Sequence, residues 1–289
     1  MKPKYTVILF YKFINIAKPK AVIKAHSKKA KELNLLGRMF VAKEGINATL
    51  EGKNKDVKSY IKFLHGDPLF SDVIVKESEG NGKGFTKLLI KERDEVITLG
   101  AGVFNIKKET ASKLSAEELE KWYRDKKDFV ILDLRNDYEI AVGKFDKTVD
   151  AGLTNFRDLP KKLKDLKKLK DKKVVAVCTG GIRCEKATCL LKREGFSDIY
   201  QLQDGIHTYI QKNPGKHFKG TLFVFDNRMT TDVVKTKKKT IIGRCFSCGE
   251  PTEEFCSDDS VRPSRKMLCC ENCFSIQPSH IRRSSISLD

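Results

Sequence analysis

The stretch Val174-Val175-Ala176-Val177-Cys178-Thr179-Gly180-Gly181-Ile182-Arg183, running into a helix-forming segment from Cys184 to Glu194, constrains this chain more than any other. Four apolar residues, three of them β-branched, read as a short buried strand of the kind parallel sheets contain. Cys178 therefore stands at the carboxyl end of a strand, the edge where open α/β sheets hold their ligands. Thr179 and the glycine pair let the backbone curl tightly, so that successive N–H groups turn inward. The following helix aims its positive end at the same point. Both effects favour a thiolate and pull the thiol below its ordinary pKa of about 8.5. A core cysteine needs neither the glycines nor Arg183, so the loop reads as a preorganised nucleophile in an anion-binding cradle.

The 289 residues suffice for two or three domains. A net charge of +19 points to a polyanionic partner such as nucleic acid, a lysine-biased composition being the plainer account. No apolar stretch is long enough to cross a bilayer, and Met1-Lys2-Pro3-Lys4 leads into a strand rather than a signal-peptide core. The expectation is a cytoplasmic protein without membrane association, whose nine cysteines serve catalysis or metal binding rather than disulfides.

Three segments follow from the patterning. Residues 1–100 read as β-α-β-β-α-β, with strands at Thr6–Phe13, Arg38–Ala42, Ile46–Leu50 and within Lys87–Val96, and helices at Pro19–Leu36 and Asp56–Leu64. That order is the ferredoxin-like α+β split. Residues 101–218 form an α/β unit in which Ser115 caps a helix with Glu117 and Glu118 in its first turn, and Phe129-Val130-Ile131-Leu132 is a strand ending at Asp133. Residues 219–289 are rich in Cys, Ser and charge, with a basic run at Lys235–Lys239 and a tail from Ser279 expected to be disordered. The stretch Lys161–Lys173 carries eight lysines with Leu163, Leu166 and Leu169 at intervals of three. It serves either as a phosphate-binding ridge or as the wet face of an amphipathic helix. Lys43, Lys161, Lys162, Lys164, Lys167 and Lys168 are the candidate RNA-binding lysines.

The Cys-x4-Arg loop between strand and helix resembles the rhodanese active-site loop. Asp133-Leu134-Arg135-Asn136-Asp137-Tyr138-Glu139, with Gly143 four residues on, resembles the Asp-x-Arg-x3-Glu-x3-Gly element that opens rhodanese domains. Phosphatase relatives of this fold carry one more residue between Cys and Arg, so the shorter loop suits a sulfur adduct or a small planar group. Glu44-Gly45-Ile46-Asn47-Ala48, the segment Arg135–Glu139, the ten residues Cys178–Ala187 and Phe223-Val224-Phe225-Asp226-Asn227-Arg228-Met229 occur in that order. Together they resemble the rhodanese-domain tRNA uridine hydroxylase family, over residues 5 to 275. The chain departs from that pattern at Asp150-Ala151-Gly152-Leu153, where relatives usually continue with a small-residue, Ile-Pro-type stretch. The resemblance implies a central rhodanese-like parallel-sheet domain, an acylphosphatase-like (ferredoxin-like) domain before it and a cysteine-rich segment after it. It also implies oxygen-dependent 5-hydroxylation of the wobble uridine of tRNA, with molecular oxygen as co-substrate and Cys178 as the essential residue.

In that chemistry the Cys178 thiolate adds to C6 of the uracil ring, and Arg183 with the amides of Thr179, Gly180, Gly181 and Ile182 stabilises developing negative charge. Cys184 is a candidate second thiol, or a small packed residue. Asp133, Arg135 and Glu139 are supporting residues, the first two read foremost as an internal ion pair. Cys189 reads as core and His207 as a packing residue.

Cys245-Phe-Ser-Cys248 and Cys270-Glu-Asn-Cys273 form two Cys-x2-Cys knuckles, with Gly249 placed for a tight turn. Four thiolates so spaced suit one tetrahedral structural zinc, which would supply folding energy to a core-poor segment. Cys256 and Cys269 compete as ligands, and a redox dithiol is the alternative. Three functional classes remain at this level: a tRNA-modifying oxygenase, a persulfide-carrying sulfurtransferase, and a non-catalytic RNA-binding module.

Overall fold

The computed structural model describes residues 4–232, 240–262 and 264–284, so the basic run Lys235–Lys239 and the last five residues lie outside the described residues. The chain divides into two compact units, one running up to Thr98 and including Phe225–Arg228, the other comprising Leu99–Val224 and Met229–Ser285.

The first unit contains β1 (Tyr5–Phe13), α1 (Pro19–Glu32), β2 (Leu36–Ala42), β3 (Gly45–Lys53), α2 (Asn54–Gly66), β4 (Lys76–Gly80) and β5 (Leu88–Glu92). The sheet order is β4-β1-β3-β2-β5, a ferredoxin-like antiparallel arrangement with β5 added parallel to β2. The fourth strand of that split is therefore not in Lys87–Val96, as the apolar pattern suggested, but at Lys76-Glu77-Ser78-Glu79-Gly80. This is an edge strand, and charged residues there blunt further pairing while hiding the alternation that reveals a strand. The first helix also stops at Glu32, before Asn34 takes a positive φ of 51°. Glu44 and Asn47 explain part of one motif structurally: Glu44 Oε1 accepts from the Val96 N–H at 2.8 Å, and Asn47 Nδ2 donates to the Val96 carbonyl at 3.0 Å. Within the same unit Asn227 N–H donates to the Gly84 carbonyl at 2.9 Å and Arg228 Nη1 to the Glu79 carbonyl at 2.5 Å. The Phe223–Met229 motif is thus divided, its Phe225–Arg228 part packing with the first unit.

The second unit begins with the short helix α3 (Ile106–Glu109), β6 (Ser112–Leu114), α4 (Ala116–Arg124), β7 (Val130–Asp133), α5 (Asp137–Val142), β8 (Gly143–Phe145) and β9 (Thr148–Asp150). It continues through α6 (Leu159–Leu166), β10 (Val174–Val177), α7 (Ile182–Arg193), β11 (Ile199–Leu202) and α8 (Gly205–Lys212). Five strands make an all-parallel sheet in the order β6-β11-β10-β7-β9. β10 lies at its centre with all four residues buried, as a sheet covered on both faces demands. Leu119, Trp122 and Tyr123 of α4 and Ile206, Tyr209 and Ile210 of α8 pack with Ile131, Val175 and Val177 in one core. Ser115 caps α4 with a reciprocal capping box to Glu118.

The cysteine-rich part belongs to this second unit. After β12 (Phe218–Gly220), β13 (Leu222–Phe223) and β14 (Thr230–Thr231) come β15 (Phe255–Asp258), β16 (Arg265–Leu268), α9 (Glu271–Phe274) and β17 (Ile281–Arg283). Of the tail expected to be disordered from Ser279 to Asp289, Ile281–Arg283 instead form β17, paired antiparallel with β15, and residues 285–289 lie outside the described residues. Phe223 joins this segment to the sheet, its ring 5.1 Å from that of Tyr138 on α5 and 5.3 Å from that of Phe255. Among the described residues no helix is long and apolar enough to cross a membrane.

Candidate active site and cysteine cluster

Cys178 directly follows β10 and has no exposed surface. The chain then turns through Thr179 and Gly180 to Gly181, whose φ of 100° leads into α7. The turn brings the Gly181 N–H to 3.2 Å from the Cys178 sulfur. Burial pushes the thiol up, but hydrogen bonds from the Cys184 thiol, the charge of Arg183 and the amides of Cys184 and Gly181 outweigh it, bringing the pKa down to about 6. Cys184 moves the other way: burial and the neighbouring Cys178 sulfur raise its thiol well above the ordinary value. Of the loop amides named from sequence, the contact at the sulfur is made by Gly181, while the Cys184 N–H donates to the Gly181 carbonyl at 3.1 Å.

Arg183 does not face an open cradle. Its Nη1 and Nη2 donate to Glu139 Oε2 and Oε1 at 2.5 and 2.8 Å, and Nη2 also reaches Thr179 Oγ1 at 3.2 Å. Thr179 Oγ1 in turn donates to Glu139 Oε1 at 3.2 Å. Glu139 is fully buried; burial raises its carboxyl, but Arg183 and then Arg135 overcome this and hold it below the usual range. The arrangement makes Arg183 a clamp between the loop and α5, with its positive charge balanced by a bidentate partner.

A second buried pair stands beside it. Arg135 Nη2 meets Asp133 Oδ2 at 2.7 Å and Nε meets Asp133 Oδ1 at 2.9 Å, with further bonds from Arg135 to the carbonyls of Glu139 and Gly143 at 3.3 and 2.6 Å. Asp133 and Arg135 therefore make an internal ion pair, which fixes the turn after β7 and the start and end of α5.

The loop also rests on α8, which sequence reasoning did not connect with it. Ile206 N–H donates to the Cys178 carbonyl and His207 N–H to the Thr179 carbonyl, each at 3.0 Å. Gly205 has φ 74°, and a Cβ there would lie 2.7 Å from backbone atoms of Thr179, Gly180 and Gly181. The one available signal was the Asp204-Gly205 pair just before an apolar helical pattern.

Cys184, Glu185, Thr188 and Cys189 all lie on the nearly all-buried α7. Glu185 Oε2 accepts from Thr110 Oγ1 at 3.0 Å and Gln201 Nε2 at 3.1 Å, which fastens the helix to β11 and the segment before β6. Of the candidate lysines, Lys161, Lys164, Lys167 and Lys168 are exposed, while Lys162 is half-buried. Leu166 and Leu169 are buried beneath those lysines, as the amphipathic-helix expectation has it. Lys162 Nζ lies 3.9 Å from where a Gly152 Cβ would sit, close to the carboxyl end of β9. Lys43 is exposed in the turn between β2 and β3 of the first unit.

The C-terminal cluster resolves which cysteines converge. The sulfurs of Cys245, Cys248, Cys270 and Cys273 all lie within 4.8 Å of one another, with Cys248 and Cys270 at 3.6 Å. Zinc at its usual distance of about 2.3 Å from each sulfur requires sulfur–sulfur edges of about 3.8 Å, so the four residues fit that ion. Gly249 has φ 77°, and its N–H donates to the Cys245 carbonyl at 3.0 Å, closing the first knuckle as expected. Cys256 on β15 and Cys269 after β16 are both fully buried and lie outside the four. Zinc held here would be structural, fixing two knuckles that otherwise share a small core with Ile281.

Three family models match the chain in succession: a UPF0176 acylphosphatase-like domain over residues 5–96, a rhodanese-like domain over 115–212 and a rhodanese C-terminal segment over 219–281. Among curated proteins, a tRNA uridine(34) hydroxylase of Cytophaga hutchinsonii is 37% identical over 269 residues, covering 93% of this chain and 86% of that protein. Another, of Staphylococcus carnosus, is 37% identical over 286 residues, covering 93% and 89% respectively. Among solved structures, a rhodanese-related protein from Thermoplasma volcanium is 24% identical, covers 35% of this chain and 92% of its own, and gives a TM-score of 0.30.

Proposed function

The chain belongs to the tRNA uridine(34) hydroxylase family, and from that premise we propose that it converts the wobble uridine of tRNA to 5-hydroxyuridine with dioxygen as co-substrate and Cys178 as nucleophile. The observation that carries the mechanism is the position of the Cys178 sulfur, at the end of the central strand of a parallel sheet with the Gly181 N–H 3.2 Å away, a setting that lowers the thiol pKa to about 6. Near neutral pH it is mostly thiolate. Its electron pair adds to C6 of uracil, and the charge passes to C5 and the O4 carbonyl, giving the ring a nucleophilic carbon where oxygen must enter. Dioxygen bonds to C5 as a hydroperoxide, an external two-electron reductant of the thiol class cleaves it to the hydroxyl and water, and loss of the C5 proton with departure of the sulfur as thiolate then restores the C5–C6 double bond. The Gly181 N–H stabilises the sulfur as it arrives and leaves.

Arg183 acts mainly through its clamp on Glu139, which keeps the loop curled, and through its field at the sulfur. Asp133 and Arg135 hold the adjoining turn. The exposed lysines of α6, with Lys162 nearest the end of β9, offer phosphate contacts to the anticodon arm, and Lys43 adds one from the first unit. Zinc on Cys245, Cys248, Cys270 and Cys273 fixes the C-terminal segment. A tRNA substrate places the enzyme in the cytoplasm.

Nucleoside mass spectrometry of tRNA from a deletion strain tests this reading. Loss of 5-hydroxyuridine and its derivatives is expected, restored by the wild-type gene and not by Cys178→Ser. Growth under ¹⁸O₂ should label the new hydroxyl; label arriving from water would refute the oxygen dependence. Loss of thiolated bases instead would favour sulfur transfer through a persulfide on Cys178.

A further inference from the structure

Asn136 stands between the end of β7 and the start of α5, at the helix N-cap position. β7 runs parallel to β10 with Asp133 opposite Val177, and the Leu134 N–H donates to the Val177 carbonyl at 3.0 Å. Asn136 is therefore at the same sheet edge as Cys178, one strand over. Its backbone N–H donates to Glu139 Oε2 at 2.9 Å, on the carboxylate that also accepts from Arg183 and from Thr179 Oγ1. Its side chain is buried, with Nδ2 donating to Tyr138 Oη at 2.9 Å. Oδ1 is buried as well, yet has no hydrogen-bond partner among the described residues. The Glu139 N–H, the donor that an N-cap oxygen ordinarily takes, goes to the Asn136 backbone carbonyl at 2.9 Å. We propose that Asn136 reads the base in the hydroxylation site: Oδ1 accepts a hydrogen bond from N3–H of the uracil whose C6 meets Cys178. The proposal rests on the reading of Cys178 as nucleophile and names the residue that selects its substrate.

The chemistry of uracil fits this placement. C6 and N3 lie on opposite sides of the ring, so a group that reads N3 must stand across the site from the sulfur rather than within its loop. The end of the neighbouring strand supplies that position. The other polar side chains at this edge are engaged: Arg183 by Glu139, Arg135 by Asp133, and Thr179 by Glu139. The Asn136 amide is held by the parts it does not use. Its backbone N–H is on Glu139 and its Nδ2 on Tyr138, whose ring packs edge-on against Phe223 at 5.1 Å. Such support fixes the remaining end before a ligand arrives. A buried acceptor without a donor is unfavourable in the free protein, and a ligand N–H recovers the loss. Turning the amide over exchanges Oδ1 for Nδ2 at that end and leaves it equally without a partner. Since Oδ1 has no solvent contact in the free protein, the entering base displaces what covers it.

The experiment measures binding of two anticodon stem-loop RNAs, identical but for uridine or 3-methyluridine at the wobble position. The protein is the full-length chain carrying Cys178→Ser, so that binding is read without turnover. The N3-methyl group removes the donor and occupies the space before the acceptor. With Asn136 in place, the uridine RNA should bind about tenfold or more tightly, the usual effect of leaving one buried acceptor without its donor. Adding Asn136→Ala should bring the two affinities together, because the amide is gone and the methyl group has room, while phosphate contacts are common to both RNAs. The ratio is taken within one protein, so a general loss of affinity does not imitate it. Equal binding of the two RNAs by the protein that keeps Asn136 would overturn the proposal without recourse to any variant at that position. A uridine preference that persists in Asn136→Ala would overturn it too. If the preference is found and lost as expected while the deletion strain keeps its 5-hydroxyuridine, the base-reading residue stands and the proposed reaction fails. If 5-hydroxyuridine disappears but the two RNAs bind alike, the reaction stands and Asn136 has no part in choosing the base.

Discussion

Two groups of sulfur in the second unit share a property and differ in use. Cys178 and Cys245 are both brought to a pKa of about 6, each against an opposing push from burial and each with the help of backbone N–H groups. Around Cys245 three further sulfurs lie within 4.8 Å of it and of one another, as a metal knuckle requires. Around Cys178 the second sulfur is a thiol that stays protonated, and the countercharge is a guanidinium tied to a carboxylate. A lowered thiol pKa therefore does not identify a nucleophile. The number of sulfurs able to converge on one point decides between ligand and attacking group.

The comparison breaks first at the sulfur itself. Cys178→Ser should lower hydroxylation by about 10⁴-fold or more, as removal of a catalytic nucleophile does elsewhere, while bound zinc stays at one per chain. Measuring both on one preparation checks whether the two sites are independent. Chelation should do the reverse. Structural zinc contributes about 10 kcal/mol or more to folding in small zinc domains, so its removal should free the amides of β15, β16 and α9 for hydrogen exchange. The amides of β10 should remain protected, and simultaneous loss of both would show that the sheet depends on the metal.

A smaller effect is expected at the clamp. Glu139→Gln leaves Arg183 without its buried countercharge and should cost about 3–5 kcal/mol in urea unfolding. The Cys178 midpoint should stay level or fall, since Arg183 keeps its charge and loses the carboxylate that balanced it. Gly205→Ala should cost about 1–3 kcal/mol through strain and displaced backbone, with activity reduced because the new Cβ meets the loop. The mildest probe is pH. The pKa of Cys178 is lowered, so its reactive form is present above the midpoint and lost as pH falls through about 6. Hydroxylation kcat/KM should then fall about tenfold per unit below that point, with zinc binding followed alongside.

Much of this was legible in the residues, for identifiable reasons. The strand Val174–Val177, the loop and the following helix are contiguous, so local patterning sufficed to place Cys178. The four metal-site cysteines carry their spacing with them. What escaped was long-range. Arg183 and Glu139 are 44 residues apart, and nothing in either motif says that the arginine turns to the glutamate rather than to the substrate. Gly205 reached the loop only through the packing of α8. Exclusion of Cys256 and Cys269 from the four converging sulfurs follows from the folded β15–β16 hairpin, which spacing alone could not supply. β4 was missed because its charged residues serve an edge, where the alternation that announces a strand is weakest.

The excursion of Phe225–Arg228 into the first unit has a practical consequence for anyone dissecting the molecule. A fragment ending at Thr98 would contain every strand of its sheet yet lack the peptide that donates to the Gly84 and Glu79 carbonyls. The complementary fragment would carry four residues whose bonding partners had been cut away. Order along the backbone and membership of a folded body are separate properties here, so dissection at residue 98 should yield pieces less sturdy than the intact polypeptide.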